Sequence, residues 1–223
     1  MVQTNHNVRA RTRAAIMEAA AVLFREKGFA TVSMEEIARS ARVARATLYN
    51  NFESKDDVAV GIAEQHRARG YAQLVASRAA GANALALLDD FFTFAGGWIA
   101  ENRDAAFIGT TAAIRGVGRA PDRPGTTTVL EELVAQGQKE GLLRRGLDPA
   151  GAARLLGALL TQAALTGPDA SQADPTRWPL ELLKMALDGL LAEREPARGE
   201  PSSSQARVAA GAGSRARNAG GVQ

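Results

Sequence analysis

Between Ile16 and Phe52 the apolar residues fall into three short runs, each at helical spacing and separated by helix-ending or helix-starting residues. Ile16, Ala19, Ala20, Leu23 and Phe24 mark one stripe of a helix over about Arg9 to Lys27, and Gly28 suits the left-handed residue that ends it. Ser33-Met-Glu-Glu36 reads as a capping box, in which the serine hydroxyl takes the amide three residues on and Glu36 reaches back. Met34, Ile37, Ala38 and Ala41 give the inward side of that short helix. Ala41, Ala44, Leu48 and Phe52 fall at three- and four-residue steps and give the inward side around a third. Ser54, with Asp57 three residues on, opens a fourth helix through Val58, Ile62, Leu74 and Val75 to about Arg78. Three short helices and then a long one make the frame of a helix-turn-helix domain, with Ala41-Arg42-Val43 as the turn.

The rest also reads helical. Asn83 precedes an almost wholly apolar helix through Leu88, Phe91, Phe92, Ala95, Trp98 and Ile99, as a buried helix should look. Asp104 is expected to cap the next, which ends near Arg115-Gly116. Residues 116–125 read as a loop, followed by a helix through Val129, Leu133 and Val134. Asp148-Pro149 supplies a cap and a first-turn proline for residues 152–166, and a last helix is expected over 178–192. No run alternates apolar and polar long enough for a strand. The expected architecture is all-α: a loose segment 1–8, a helix-turn-helix domain 9–53, a helical-bundle regulatory and dimerisation domain 54–192 entered through the long fourth helix, and a disordered Pro/Gly/Ser/Ala/Arg tail 193–223.

Composition removes whole classes of chemistry. The chain has 223 residues and 0 cysteines, so disulfides, cysteine-ligated zinc, iron–sulfur clusters and thiol catalysis are excluded. Its 2 histidines, His6 and His66, leave little material for a metal centre or a Ser-His-Asp triad. No nucleotide loop and no paired catalytic groups are visible, so no enzyme, no metal and no cofactor are expected. The longest apolar stretches fall short of the ~20 residues that span a bilayer, and residues 1–20 hold no apolar signal core; a cytoplasmic protein with no membrane partner is expected. The net charge of +3 is unevenly placed. Residues 1–53 carry 8 basic and 5 acidic side chains, against 14 and 16 in residues 54–192. A basic first quarter on a slightly acidic body points to a polyanion at the N-terminal end.

The third helix says how such a polyanion would be read. Opposite its inward residues lie Arg45, Ala46, Thr47, Tyr49 and Asn50. Arginine pairs bidentately with guanine and asparagine with adenine, while threonine and tyrosine hydroxyls suit phosphate oxygens. Lys55, in the first turn of the next helix, adds a cation beside free backbone amides. Arg9, Arg11 and Arg13 make either an arm along the backbone or minor groove or simply a solvated helix start.

Residues 33–57, Ser-Met-Glu-Glu-Ile-Ala-Arg-Ser-Ala-Arg-Val-Ala-Arg-Ala-Thr-Leu-Tyr-Asn-Asn-Phe-Glu-Ser-Lys-Asp-Asp, resemble the TetR family of bacterial transcriptional regulators, above all in the Thr-Leu-Tyr-x-x-Phe-x-Ser-Lys core at 47–55. The resemblance runs from about Arg9 to Arg69. It implies an all-helical homodimer with an N-terminal domain on double-stranded operator DNA and a second domain that dimerises and usually binds a small effector. It also implies DNA contacts from Arg45, Ala46, Thr47, Tyr49, Asn50 and Lys55; Ser33 is a further candidate contact, and Arg42 is either a phosphate contact or a solvated turn residue. Two positions depart from the family's pattern: Arg42 stands where the turn usually has glycine, and Ala44 where the recognition helix usually has a Ser or Thr cap, which gives up roughly 1 kcal/mol of capping.

Two further sets complete the expectation. His66, Phe91, Phe92, Trp98, Phe107, Thr111 and Gln162 are the residues expected to line an effector pocket; the alternatives are core packing for the aromatics, a solvent-facing His66, and Thr111 and Gln162 bonding their own backbone. Leu156, Leu159 and Leu160, with Leu183, Leu187 and Leu190, form stripes suited to a four-helix bundle across a twofold axis, the alternative being that they close the core of one subunit. The functional expectation is a repressor released by a small, largely apolar effector. The competing one is a helical interaction protein that binds DNA constitutively and answers to a protein partner.

Overall fold

A computed structural model describes residues 2–117, 124–166, 184–186 and 188–191, with side chains from residue 8 onward. Eight helices are described: α1 Val2–Lys27, α2 Met34–Ser40, α3 Arg45–Tyr49, α4 Lys55–Ala79, α5 Ala84–Glu101, α6 Arg103–Ile114, α7 Thr126–Lys139 and α8 Pro149–Leu165. The one pairing of β type among the described residues is an isolated antiparallel bridge between Leu143 and Leu191. No helix among them is long and apolar enough to cross a membrane. The expected tail at 193–223 and most of the expected last helix lie outside the described residues.

Local chemistry sets most of the boundaries. Both capping boxes are formed: the Ser33 hydroxyl accepts from the Glu36 amide and the Ser54 hydroxyl from the Asp57 amide, and each carboxylate takes the serine N–H in return. Asn83 and Asp148 cap α5 and α8 through their side-chain oxygens, with Pro149 in the first turn of α8. Two expectations need correction. Residues 2–8, expected loose, continue α1, because nothing between Val2 and Arg9 breaks a helix. Asp104 does not cap α6. Its helix starts at Arg103 after Asn102, and the Asp104 carboxylate accepts the Phe29 N–H at 3.0 Å instead.

The buried residues form two clusters. One unites Ile16, Met17, Ala20 and Phe24 of α1, Val32, Ile37, Ala38, Leu48 and Phe52 with Val58, Ala59 and Ile62 of α4 and Ala105 of α6. The other holds Leu74 at the far end of α4 together with Leu87, Leu88 and Phe92 of α5, Leu130, Leu133 and Val134 of α7, and Ala153, Leu156 and Leu160 of α8. Burying each large side chain contributes about 1.5–3 kcal/mol. The expected border at residue 53 therefore divides the chain by motif but not by core, since the first turns of α4 are built into the N-terminal cluster. Where α4 crosses α6, Gly109 lets the two backbones approach: a Cβ there would meet the Ala63 Cβ at 2.3 Å.

Candidate nucleic-acid interface

The turn between α2 and α3 is a helix-ending motif. The Arg42 N–H donates to the Arg39 carbonyl (3.2 Å) and the Val43 N–H to the Ala38 carbonyl (3.0 Å), with Arg42 at φ 55°. Glycine is the usual residue there, because a Cβ crowds the left-handed backbone. The same pair of bonds closes α4, α6 and α7, at Gly81, Gly116 and Gly141. Arg42 is thus the arginine in a motif that elsewhere in this chain takes glycine, and its side chain is exposed.

The turn sets α3 so that Leu48 and, just beyond it, Phe52 are buried. Arg45, Ala46, Tyr49 and Asn50 are exposed, and Thr47 is half-buried. Ala44, expected on the inward side, is exposed: it is the N-cap, and its methyl makes no capping bond. Arg45 lies 3.0 Å from the Glu35 carboxylate and its guanidinium 5.5 Å from the Tyr49 ring centroid. An ion pair exposed at both ends is worth about 0–1 kcal/mol, so the guanidinium is held only weakly by Glu35. Ser33 is exposed, with its hydroxyl engaged in the α2 cap.

Two of the basic residues singled out in the sequence are engaged by other parts of the protein. The Lys55 ammonium donates to the carbonyls of Phe29 (2.6 Å), Ala30 (3.2 Å) and Val32 (2.8 Å). Arg13 donates to the Asn51 carbonyl (2.5 Å) and stacks 3.9 Å from the Phe52 ring centroid, tying α1 to the end of the recognition helix. Arg9 and Arg11 are exposed. Sequence reasoning missed Asn102, the buried polar residue that joins α5 to α6: it donates to the Trp98 carbonyl and accepts from Arg25. Its partner Arg25 lies 77 residues away, so no local pattern announces the pair.

The residues expected around an effector separate into three groups. His66 and Trp98 come together. The imidazole is sandwiched between Phe94 (centroids 4.2 Å apart) and Trp98 (4.4 Å), the rings nearly parallel. Gly70 makes the room, since a Cβ there would lie 2.8 Å from the Phe94 ring. Burial, helped by the neighbouring Arg67 and Arg69, pushes the His66 pKa down to about 4, so the ring is neutral at pH 7, and its Nε2 is buried without a hydrogen-bond partner among the described residues. Both residues line a cleft of about 300 Å³ between α1, α4 and the end of α5, with Met17, Ala21, Val22 and Ile62 as its apolar surface and Arg25, Arg69 and Glu101 also lining it. A second, more open cleft of about 620 Å³ is bordered by Arg13, Phe52, Glu53, Asp57 and Glu64 and holds none of the expected residues. Phe92 is fully buried in the second core, and Phe91 packs edge-on against it. Phe107 and Gln162 are exposed, and the Thr111 hydroxyl donates to the Phe107 carbonyl of its own helix. These five do not gather with His66 and Trp98, because helical spacing fixes a face without saying which neighbour covers it.

The expected dimer stripe needs a similar correction. Leu156, Leu160 and Leu190 are buried in the chain's own core, and Leu159 packs against it. Leu183 and Leu187 lie outside the described residues. The open side of α8 carries Leu155, Ala158 and Gln162 instead.

A family model described as bacterial regulatory proteins, tetR family, matches residues 16–62, the stretch that holds the turn, the recognition helix and the start of α4. Over that stretch the chain is similar to the TetR family. No curated protein sequence matches it. Solved structures to which the chain is similar include one described as the molecular basis for control of antibiotic production by a bacterial hormone, 27% identical over 82% of this chain and 98% of that one, with a TM-score of 0.64. FadR of Thermus thermophilus, a TetR-family transcriptional repressor in complex with lauroyl-CoA, is 23% identical over 84% and 100%, with a TM-score of 0.59. A TetR-family transcriptional regulator from Pectobacterium atrosepticum is 22% identical over 85% and 98%, with a TM-score of 0.64. The described residues are all-α with a helix-turn-helix, as in the TetR-family transcriptional regulators to which the chain is similar.

Proposed function

We propose that this regulator is a cytoplasmic one-component repressor that binds a palindromic operator as a homodimer and is released by a small, largely apolar effector. The observation that carries the DNA reading is the two-sided third helix: Leu48 is wholly buried while Arg45, Ala46, Tyr49 and Asn50 stand open on the other side. One helix-turn-helix reads only a half-site, which argues for a dimer. The open face of α8, with Leu155, Ala158 and Gln162, is the surface proposed to meet its partner copy. The effector reading rests on the cleft walled by Trp98 and His66, which touches both α1 and α4. A similar structure is described in complex with lauroyl-CoA, whose acyl chain is apolar. The competing reading, control by a protein partner, draws on Phe107, Ile114 and Val117, which leave apolar surface exposed in α6 and just beyond it.

The test begins with a duplex selected by the protein from a random pool. Replacing Arg45 by alanine should cost about 1–3 kcal/mol of binding and relax preference at one base pair. A panel of hydrophobic ligands is then scored by operator anisotropy and by Trp98 emission in a Trp178→Phe background. A ligand that releases the duplex and quenches Trp98 supports the reading. If none releases the duplex and calorimetry detects no binding, control by a protein partner replaces it.

A further inference from the structure

The loop between α1 and α2 is gripped from two sides. From α6, the Asp104 carboxylate accepts the Phe29 N–H at 3.0 Å. From the first residue of α4, the half-buried Lys55 ammonium donates to the carbonyls of Phe29, Ala30 and Val32, at 2.6, 3.2 and 2.8 Å. The same ammonium sits 4.5 Å from the centroid of the Phe29 ring, which packs edge-on against Phe24. An ammonium has three protons and no more. Here three carbonyls surround it, so a phosphate oxygen would have to displace one of them. The loop runs directly into Ser33, the cap of α2. Whatever fixes the loop therefore fixes how α2 and α3 stand on α4 and α6.

We propose that Lys55 and Asp104 are positioning residues for DNA readout: they hold the Phe29 loop from α4 and α6, set the angle of the recognition helix, and Lys55 contacts no phosphate. The proposal rests on the DNA reading of α3 and corrects the role that the sequence pattern gives Lys55. The two roles differ in a measurable way. A phosphate contact contributes about 0.9 to the salt slope of binding, so losing one from each subunit of a dimer lowers the slope by about 1.8. A positioning residue instead lowers affinity for the selected sequence while leaving the slope, and binding to unrelated duplex, in place.

The variants are Lys55→Met, which keeps the aliphatic stem over Phe29, Lys55→Arg, Asp104→Ala and Asp104→Asn, which keeps an oxygen acceptor. The probes are a duplex selected by the parent protein from a random pool and an unrelated duplex of equal length. Binding is measured by anisotropy across a salt series, and amide exchange is followed over residues 28–40 in the free protein, with a thermal melt to confirm folding. Lys55→Met and Asp104→Ala should bind the selected duplex roughly tenfold more weakly at an unchanged salt slope. Both should exchange faster over 28–37, and Asp104→Asn should restore much of the parent's behaviour. A slope lowered by about 1.8 in Lys55→Met overturns the proposal. So does Lys55→Arg matching the parent in affinity and slope, because a guanidinium serves a phosphate well but, being a planar fork, does not aim at the three carbonyls of one loop. Should the parent select no duplex, the DNA reading fails by itself; unchanged exchange over 28–37 would overturn the grip independently.

Discussion

Replacing Arg42 by glycine should make the protein more stable and a poorer DNA binder. Arg42 holds φ 55° at the end of α2, in the pair of hydrogen bonds that Gly81, Gly116 and Gly141 close elsewhere. A left-handed backbone costs a residue with a Cβ roughly 1–2 kcal/mol. Glycine removes that strain but adds about 0.5–1 kcal/mol of chain entropy to the unfolded state. The Arg42 side chain is exposed, so little packing is lost. The net gain is about 0.5–1 kcal/mol, which for a chain of this size raises Tm by roughly 1–4 °C. If the guanidinium meets a phosphate, the salt slope of operator binding should fall by about 0.9 per subunit. Melts at fixed protein concentration and an anisotropy salt series measure the two effects separately. A lower Tm would refute the strain argument. An unchanged affinity and slope would make Arg42 a solvated turn residue with no part in binding.

Other substitutions probe the packing and the interface. Gly109→Ala would place a Cβ 2.3 Å from that of Ala63, which is anchored to the α4 backbone and cannot swing aside; denaturant titration should show a loss of about 1–3 kcal/mol, and a stability at or above the parent's would show that α4 and α6 separate freely. His66 has its pKa depressed to about 4 in the folded state. Between pH 4 and the unfolded value near 6.5 the unfolded chain binds the extra proton, so this residue's contribution is whole above that window and is lost as pH falls through it. The slope should be below about 1.4 kcal/mol per pH unit, because the ring is partly exposed. His66→Phe should flatten it in urea titrations at several pH values, and an unaltered profile would assign the acid sensitivity elsewhere. Leu155→Arg changes a side chain that is 53% exposed. It should leave the far-UV spectrum intact but give monomers in analytical ultracentrifugation; an intact dimer would move the interface off this face of α8.

The elements were legible where the information is local. Ser33 with Glu36, Ser54 with Asp57, Asn83, and Asp148 with Pro149 each bring their hydrogen-bond partner within three residues, and each starts its helix where the pattern says. The exposed side of α3 followed from spacing once Leu48 and Phe52 were assigned inward. The failures have one physical origin. Lys55 reaches residues 23 to 26 positions away, Asp104 reaches 75 and Asn102 reaches 77. A lysine in a first helical turn looks alike whether it faces a phosphate or three carbonyls, and an aspartate near a helix start looks like a cap. The same limit scattered the aromatic residues: periodicity marked Phe92, Phe107 and Trp98 as apolar, but only packing decided that one is core, one is exposed and one walls a cleft.

The sharing of α4 between the two buried clusters has a consequence for how such regulators can be rebuilt. Val58, Ala59 and Ile62 complete the N-terminal cluster, whereas Leu74 belongs to the other. A chimera spliced at residue 53 would graft a DNA reader onto a foreign helix and strip its interior of that floor. Shuffling specificities within this architecture therefore has to carry the opening turns of α4, and their Ala105 neighbour in α6, along with the reader. The unit that can be exchanged is larger than the motif that recognises DNA.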